Sequence, residues 1–150
     1  QSVIARTKNL VRALDPETEI PLFQDFVRAY TSRLNQTGKF SVATDFKKSF
    51  PTLRIDENLN LQAMFSEWMT NTIRHSQAKD ISIILSGHSG YCALVINDNG
   101  TGFRWNGGKT GSGLRNIAMR AGLINAKVFS RKTGHGTCFL AKFKTNSGQP

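Results

Sequence analysis

Three polar side chains, Glu67, Asn71 and His75, lie four residues apart in one stretch of this sequence. Residues at this spacing in an α-helix are offset by only about 40° around its axis, so the three form a single row. The amide oxygen of Asn71 suits Mg²⁺, which takes oxygen ligands and leaves several positions to water and phosphate. Glu67 could orient or deprotonate a reacting group, or position a metal-bound water. The row predicts a metal-assisted site, and the alternative is an ordinary solvated helix face.

A second carboxylate, Asp98, ends an apolar run and is followed by Asn-Gly-Thr-Gly102. An ionised carboxylate can only accept hydrogen bonds, so Asp98 matches an exocyclic amine such as that of adenine. Gly100 and Gly102 lack side chains where a planar base would lie against backbone, and Thr137 could add a hydroxyl from a neighbouring strand. The alternative is a structural Asp-Asn-Gly turn, a common signal. The combination with the long helix favours the base site.

Glycines are dense just before another predicted helix. The segment Gly107-Gly-Lys-Thr-Gly111-Ser-Gly113 runs directly into a helix start at Leu114. Unpaired backbone N–H groups and the positive dipole end at such a start favour phosphate. The spacing matches neither the Walker motif nor the dinucleotide-binding fingerprint. We therefore expect this segment to cover a triphosphate, the alternative being a flexible loop without a ligand.

Hydrophobic periodicity predicts the elements that must position these residues. Helices are predicted over about 3–14, from Pro21 to near Gly38, from Asp56 to about Ser76, and from Leu114 through Ile117, Ala118 and Ala121. Strands are predicted over 40–46, 81–86, 91–97, 127–131 and 137–144, with hairpin turns at 87–90 and 132–136. The long helix carries an apolar stripe of Leu61, Met64, Phe65, Trp68 and Thr72. The pattern predicts an α/β fold, a two-layer sandwich with helices on one face of a mixed sheet whose central strand is 91–97.

Composition limits the class of protein. With 150 residues, 39% of them hydrophobic, the chain is long enough for one domain with its own core. No run approaches the ~18 to 20 apolar residues of a membrane span, and the first residues of this sequence have neither the charged nor the apolar region of a secretory signal. Cys92 and Cys138 stand in separate apolar runs, which predicts buried free thiols in a reducing cytoplasm.

Charge leaves the kind of partner open. The net charge of +10 permits nucleic acid, acidic lipid or an acidic protein as a partner. The basic residues form no block and are not interleaved with aromatic residues, so we do not expect nucleic acid. The sequence starts without Met and ends in a polar tail, so we expect a piece of a longer protein, which could carry a membrane anchor elsewhere.

In their order, four motifs resemble those of the Bergerat-fold (GHKL) ATPases, which include histidine kinases, gyrase and the mismatch-repair ATPase MutL. Glu67–Asn71 resembles the N box, Asp98–Gly102 the G1 box, Gly111–Leu114 the G2 box, and Gly134–Thr137 the final glycine turn. Within the family they most resemble the catalytic ATP-binding domain of sensor histidine kinases of the nitrate-sensor and thermosensor group. Departures from the pattern are Trp68, Ala118 and Ala126.

The resemblance implies an enzyme that binds ATP with Mg²⁺ and passes the γ-phosphate to a histidine on a dimerisation domain. It implies that Asp98 holds adenine, Asn71 holds Mg²⁺ and Glu67 is catalytic. The further nucleotide-binding residues implied are Arg74, His75, Gly100, Gly102, Phe103, Gly111, Gly113, Leu114 and Thr137. It divides the chain into the end of a dimerisation or linker helix (1–16), the catalytic domain (17–145) and a tail (146–150).

The partners implied are a phosphoacceptor domain of the same kinase, a response regulator downstream, and a second copy in a full-length homodimer. The chain's three histidines are His75, His88 and His135. The first belongs to the N box and the others to predicted hairpin turns, so the phosphoacceptor is expected outside this chain. The alternatives are an anti-sigma serine kinase, a DNA-linked ATP-gated clamp of the gyrase or MutL type, and a degenerate module that only binds nucleotide.

Overall fold

The computed structural model describes residues 19–102 and 111–145, which form three helices and five strands. The helices are α1 (Phe23–Gln36), α2 (Ile55–His75) and α3 (Ser112–Leu123). The strands are β1 (Ser41–Phe46), β2 (Asp80–His88), β3 (Tyr91–Asp98), β4 (Lys127–Thr133) and β5 (Gly136–Lys144). The predicted helix over 3–14, the predicted segments 1–16 and 146–150, Phe103, and residues 107–110 of the predicted triphosphate cover lie outside the described residues.

The five strands form one mixed sheet in the order β1-β2-β3-β5-β4. Strands β1 and β2 pair in parallel, and the other neighbours pair antiparallel. Strand β3 lies in the middle, as its continuous apolar content predicts. In the β3–β5 ladder Asp98 stands opposite Thr137, so two of the predicted site residues meet at one end of the sheet.

The helices cover one face of this sheet. Alternate residues of the central strands, such as Ile83 and Leu94, are buried on that face. The predicted stripe of α2 is buried against them, and the Trp68 ring stacks on Phe139 with ring centroids 4.2 Å apart. The predicted two-layer α/β architecture is confirmed, and Trp68 proves to be a core residue. No helix within the described ranges is long and apolar enough to cross a membrane.

Both hairpin turns are shorter than predicted. Ser89 and Gly90 have φ angles of 49° and 77°, so a two-residue turn joins β2 to β3. A turn with two left-handed residues matches the twist of its flanking strands, and pairing can therefore extend through Gly87 and His88. Similarly, pairing of Thr133 with Gly136 leaves a two-residue turn between β4 and β5.

Other differences are local. Helix α1 begins at Phe23 and not at Pro21, whose carbonyl instead accepts a hydrogen bond from the Asn58 side-chain amide of α2 at 2.9 Å. Ala118 is exposed and is not part of the buried face of α3. Both cysteines are free thiols, but only Cys92 is buried, because Cys138 lies on the sheet face without helices.

Candidate functional site

The polar row of the sequence lies on α2, and its three members differ in exposure. Glu67 and Asn71 are half-buried, whereas His75 and its neighbour Arg74 are exposed near the end of the helix. The helix start is fixed by Glu57, whose carboxylate accepts a hydrogen bond from the Arg54 backbone N–H at 2.8 Å. This cap satisfies one of the backbone donors left unpaired at the helix start.

The Glu67 carboxylate lies beside the start of α3. A Cβ added to Gly113 would stand 3.3 Å from Glu67 Oε1, so the glycine permits this approach. Helix α3 begins at Ser112, two residues before the predicted start, with Gly111 as its N-cap and Leu114 buried in the core. The structure thus brings the predicted catalytic carboxylate and the predicted phosphate-binding backbone together.

Asp98 is the buried carboxylate at the end of β3, with only 7% of its surface exposed. Its Oδ1 accepts a hydrogen bond from the Gly100 N–H at 2.8 Å. Its Oδ2 is buried and makes no hydrogen bond with any residue in the described part of the chain. A buried acceptor without a donor is unfavourable in a folded protein. This oxygen is therefore suited to a donor supplied by a ligand.

Burial raises the pKa of Asp98, and the backbone N–H groups of Gly100 and Thr137 act in the opposite direction. Burial disfavours the ionised form because it removes water from the charge. A ligand that donates a hydrogen bond to Oδ2 would favour the ionised form again.

Two glycines allow α2, β3 and β5 to converge at Asp98. A Cβ on Gly100 would lie 2.1 Å from the Ser76 carbonyl oxygen at the end of α2. A Cβ on Gly136, which has a φ of 141°, would lie 1.8 Å from the Asp98 carbonyl oxygen. The missing side chain of Gly100 thus makes room for backbone. Its role towards a nucleotide, like that of Gly102, stays a prediction.

We call the region formed by Asp98, Gly100, Gly136 and Thr137 the Asp98 end of the sheet. Thr137 is 1% exposed there. Asn99 belongs to this end although it is not among the predicted site residues: its side-chain oxygen accepts from the N–H groups of Lys79 and Asp80, each at 2.9 Å. These bonds fix the turn after β3, and the Asp-Asn-Gly sequence was a usable signal for them.

Thr72 is a second residue near the site that is not among the predicted site residues. It is fully buried on α2, and its hydroxyl has no hydrogen-bond partner among residues 19–102 and 111–145. Its spacing places it in the predicted apolar stripe. A hydroxyl in an otherwise apolar stripe was the available signal.

The donor set limits the kind of metal that could bind. Within the described part of the chain, no group of three or more His, Cys, Asp or Glu side chains could hold a metal ion. This excludes a cage built from such side chains there. A half-buried amide oxygen at Asn71 beside Glu67 fits Mg²⁺, which binds through one or two protein oxygens together with phosphates.

A different concave surface lies at the β1 edge of the sheet. This edge groove, of about 470 Å³, is lined by Arg28, Thr31, Ser32, Asn35, Gln36, Val42 and Thr44. None of the predicted site residues lines it. The Asn35 amide bonds both backbone groups of Val42, accepting from its N–H at 2.8 Å and donating to its carbonyl at 3.1 Å.

No protein-family model matches the chain. Among curated relatives, the sensor histidine kinase MctS of Rhizobium johnstonii is 26% identical over 103 residues, covering 66% of this chain and 22% of the relative. The sensor histidine kinase ComP of Bacillus subtilis is 35% identical over 71 residues, covering 47% of this chain and 8% of the relative. The chain therefore spans a small part of either relative.

Solved structures agree in fold. The ATP-binding domain of PrrB from Mycobacterium tuberculosis superposes with a TM-score of 0.68 at 14% identity, covering 85% of this chain and 96% of that one. The histidine kinase domain of a blue-light-activated kinase from Erythrobacter litoralis gives a TM-score of 0.70 at 17% identity, covering 84% and 62%. The chain therefore has the fold of histidine kinase ATP-binding domains.

Proposed function

We propose that this chain is the ATP-binding catalytic domain of a sensor histidine kinase. It binds ATP with Mg²⁺ and transfers the γ-phosphate to a histidine on a dimerisation domain outside this chain. The observation that carries the proposal is the buried Asp98 carboxylate, whose Oδ2 lacks a donor among the described residues. The fold and the names of the relatives agree with it.

Each residue of the site has a task in this proposal. Asp98 accepts from the exocyclic amine of adenine, and Thr137 lies beside it on β5. Asn71 supplies an oxygen to Mg²⁺, which neutralises phosphate charge when bound. The further nucleotide contacts come from Arg74, His75, Gly100, Gly102, Phe103, Gly111, Gly113 and Leu114.

The transfer itself breaks the bond between the γ-phosphorus and the oxygen bridging to the β-phosphate. A bond then forms to a nitrogen of the acceptor histidine, and ADP leaves. Glu67 stands next to the start of α3, where the phosphates are held in this proposal. From there it orients or deprotonates the reacting group, or positions a metal-bound water.

The finer parts of the proposal rest on the motifs. Glu67-Trp-Met-Thr-Asn-Thr-Ile-Arg-His-Ser76 and Asp98-Asn-Gly-Thr-Gly-Phe103 support the nitrate-sensor and thermosensor group. Membership implies a homodimeric full-length protein that can be anchored in a membrane, a response regulator as the next phosphate acceptor, and a cytoplasmic position for this domain.

Calorimetric titration of ATP into the 150-residue chain tests the site. Asp98→Asn replaces an acceptor with a donor-bearing amide next to the ligand amine. We expect a loss of about a hundredfold or more in affinity, since removing a hydrogen bond and opposing two donors together exceed ~3 kcal/mol. The fold, followed by circular dichroism, should be retained.

Asp45→Asn is the matched control, because Asp45 is an exposed carboxylate of β1 that pairs with Lys47 at 2.6 Å. It should bind ATP as the wild type does. Equal affinity in Asp98→Asn and Asp45→Asn would refute the assignment of Asp98. Repeating the wild-type titration in EDTA tests Mg²⁺, because affinity should fall when the metal is removed.

A further inference from the structure

The hydroxyl of Thr72 has an unusual hydrogen-bonding state for a buried threonine in a helix. Threonine hydroxyls in helices can bond the carbonyl oxygen one turn earlier. Thr70 does so, donating to the Ser66 carbonyl at 2.8 Å. Thr72 is more deeply buried, yet its hydroxyl bonds no group in the described ranges. A buried hydroxyl without a partner is destabilising, so its orientation requires an explanation.

The neighbours of Thr72 give its position. One turn earlier, Trp68 stacks on Phe139 of β5. One turn later, the Ser76 carbonyl accepts from the Thr101 N–H at 2.6 Å, just after Gly100. Thr72 therefore lies near the C-terminal end of α2, halfway between these two contacts and on the sheet-facing stripe.

The sheet opposite Thr72 can be identified in the same way. Moving from Phe139 towards Gly136 along β5 leads to Thr137, which is paired with Asp98 of β3. Helix α2 runs in this same direction, because its C-terminal end contacts Gly100. Thr72 is therefore at the level of the Asp98–Thr137 pair, between helix and sheet.

Two buried oxygens without partners in the described residues thus occur at one level of the molecule, Asp98 Oδ2 and Thr72 Oγ1. The carboxylate can only accept a hydrogen bond, while the hydroxyl can also donate. The Watson–Crick edge of a 6-aminopurine offers an amine donor next to a ring-nitrogen acceptor. A 6-oxopurine presents the reverse order, an acceptor next to a donor.

We propose that Thr72 is a specificity-determining residue of the nucleotide site, whose hydroxyl donates to the adenine ring nitrogen beside the amine that Asp98 accepts. The contact is direct or passes through one bound water. The inference rests on the proposed function and adds to it a second residue that recognises the base. It also explains why a threonine stands in an apolar helix stripe.

Thr72→Val tests this inference, because it keeps the branched shape and removes the hydroxyl. In calorimetry we expect ATP affinity to fall about three- to tenfold, the range of one hydrogen bond. Thr72→Ser keeps the hydroxyl and should stay within about twofold of the wild type. Thr70→Val is the matched control on the same helix and should leave ATP affinity unchanged.

A structural role for the hydroxyl predicts different results. If Thr72 only packed, Thr72→Val would bind ATP like the wild type, and the inference would be overturned. If instead the hydroxyl contacts the nucleotide, Thr72→Val without nucleotide should melt at the wild-type temperature or higher, because the substitution removes a buried hydroxyl that has no partner in the free protein. If the valine variant does not fold, Thr72→Ala provides the same comparison in a smaller side chain.

An ATP analogue that lacks the ring nitrogen, 1-deaza-ATP, tests the contact from the ligand side. It should bind the wild type more weakly than ATP does, and this difference should shrink in Thr72→Val. An undiminished difference in the variant would contradict the hydrogen bond.

If the wild type binds Mg-ATP but Thr72→Val binds it equally well, only this inference fails. If the wild type binds no ATP, the proposed function fails as well.

Discussion

The edge groove and the Asp98 end of the sheet differ in the hydrogen bonding of their polar side chains. At the edge groove, the Asn35 amide pairs with both backbone groups of Val42, and the Thr31 hydroxyl donates to the Arg28 carbonyl at 3.1 Å. At the Asp98 end, Asp98 Oδ2 has no donor among residues 19–102 and 111–145. In this chain the predicted site residues coincide with the unpartnered buried carboxylate and not with the concave surface.

The difference also concerns packing. The edge groove is open to solvent and is lined largely by exposed side chains. The Asp98 end is so close-packed that neither Gly100 nor Gly136 has room for a Cβ. Such packing holds the carboxylate in one place, which a binding site for a rigid base requires.

The largest effect should come from Gly136→Ala, which tests the close packing. The added methyl would lie 1.8 Å from the Asp98 carbonyl oxygen, and the φ of 141° is unsuited to alanine. We expect the free energy of unfolding to fall by at least about 3 kcal/mol, since overpacking and backbone strain act together. Gly134→Ala is the control, because a Cβ there meets no atom within 4 Å. Equal stability of the two variants in urea would show that close packing at Gly136 does not constrain the Asp98 end.

A smaller effect is expected at the edge groove from Asn35→Ala. The change removes two hydrogen bonds to Val42, so we expect a loss of about 1 kcal/mol in the free energy of unfolding at this partly solvated position. ATP affinity should not change. Gln36→Ala, which alters another side chain lining the groove, should have neither effect. A loss of ATP affinity in Asn35→Ala would show that the two regions are not separate.

The smallest effect is a pH dependence of stability at the Asp98 end. Because burial raises the folded-state pKa of Asp98, the folded state holds its proton more tightly than the unfolded state. The resulting stabilisation is fully present below the unfolded-state pKa and is lost as pH rises through the raised folded-state pKa. The unfolding free energy of the wild type, relative to Asp98→Asn, should therefore increase as pH is lowered through this range.

Urea titrations of both proteins at a series of acidic pH values measure this difference, because all other groups cancel in the comparison. Saturating ATP should reduce it, since an amine that donates to Oδ2 favours the ionised carboxylate. If the difference in unfolding free energy between the two proteins does not change with pH, the pKa of Asp98 is not raised in the folded state.

The sequence predicted most of the architecture because its signals were strong. The continuous apolar run 91–97 indicated a central strand, and β3 indeed lies in the middle of the sheet. The stripe on α2 predicted its buried face. By contrast, the two-residue length of the turn at Ser89 could not be predicted from sequence alone, because serine rarely adopts the left-handed conformation that it has there.

The candidate site was predicted less evenly. The positions of Asp98 and Thr137 opposite each other follow from pairing of strands distant in sequence, so the motifs gave both residues but not their juxtaposition. Thr72 was assigned to the core since its spacing on α2 matches that of Leu61 and Trp68. Whether its hydroxyl has a hydrogen-bond partner depends on the surrounding side chains. The spacing of residues along a helix predicts burial and does not predict such partners.

The stacking of Trp68 on Phe139 has a spectroscopic consequence. An indole fixed in the core one helical turn before Thr72 is an intrinsic optical probe of the Asp98 end. The chain contains one other tryptophan, Trp105, so a Trp105→Phe variant would emit from Trp68 alone. In that variant, the near-ultraviolet dichroism and fluorescence of a single ring would report nucleotide binding without any attached dye.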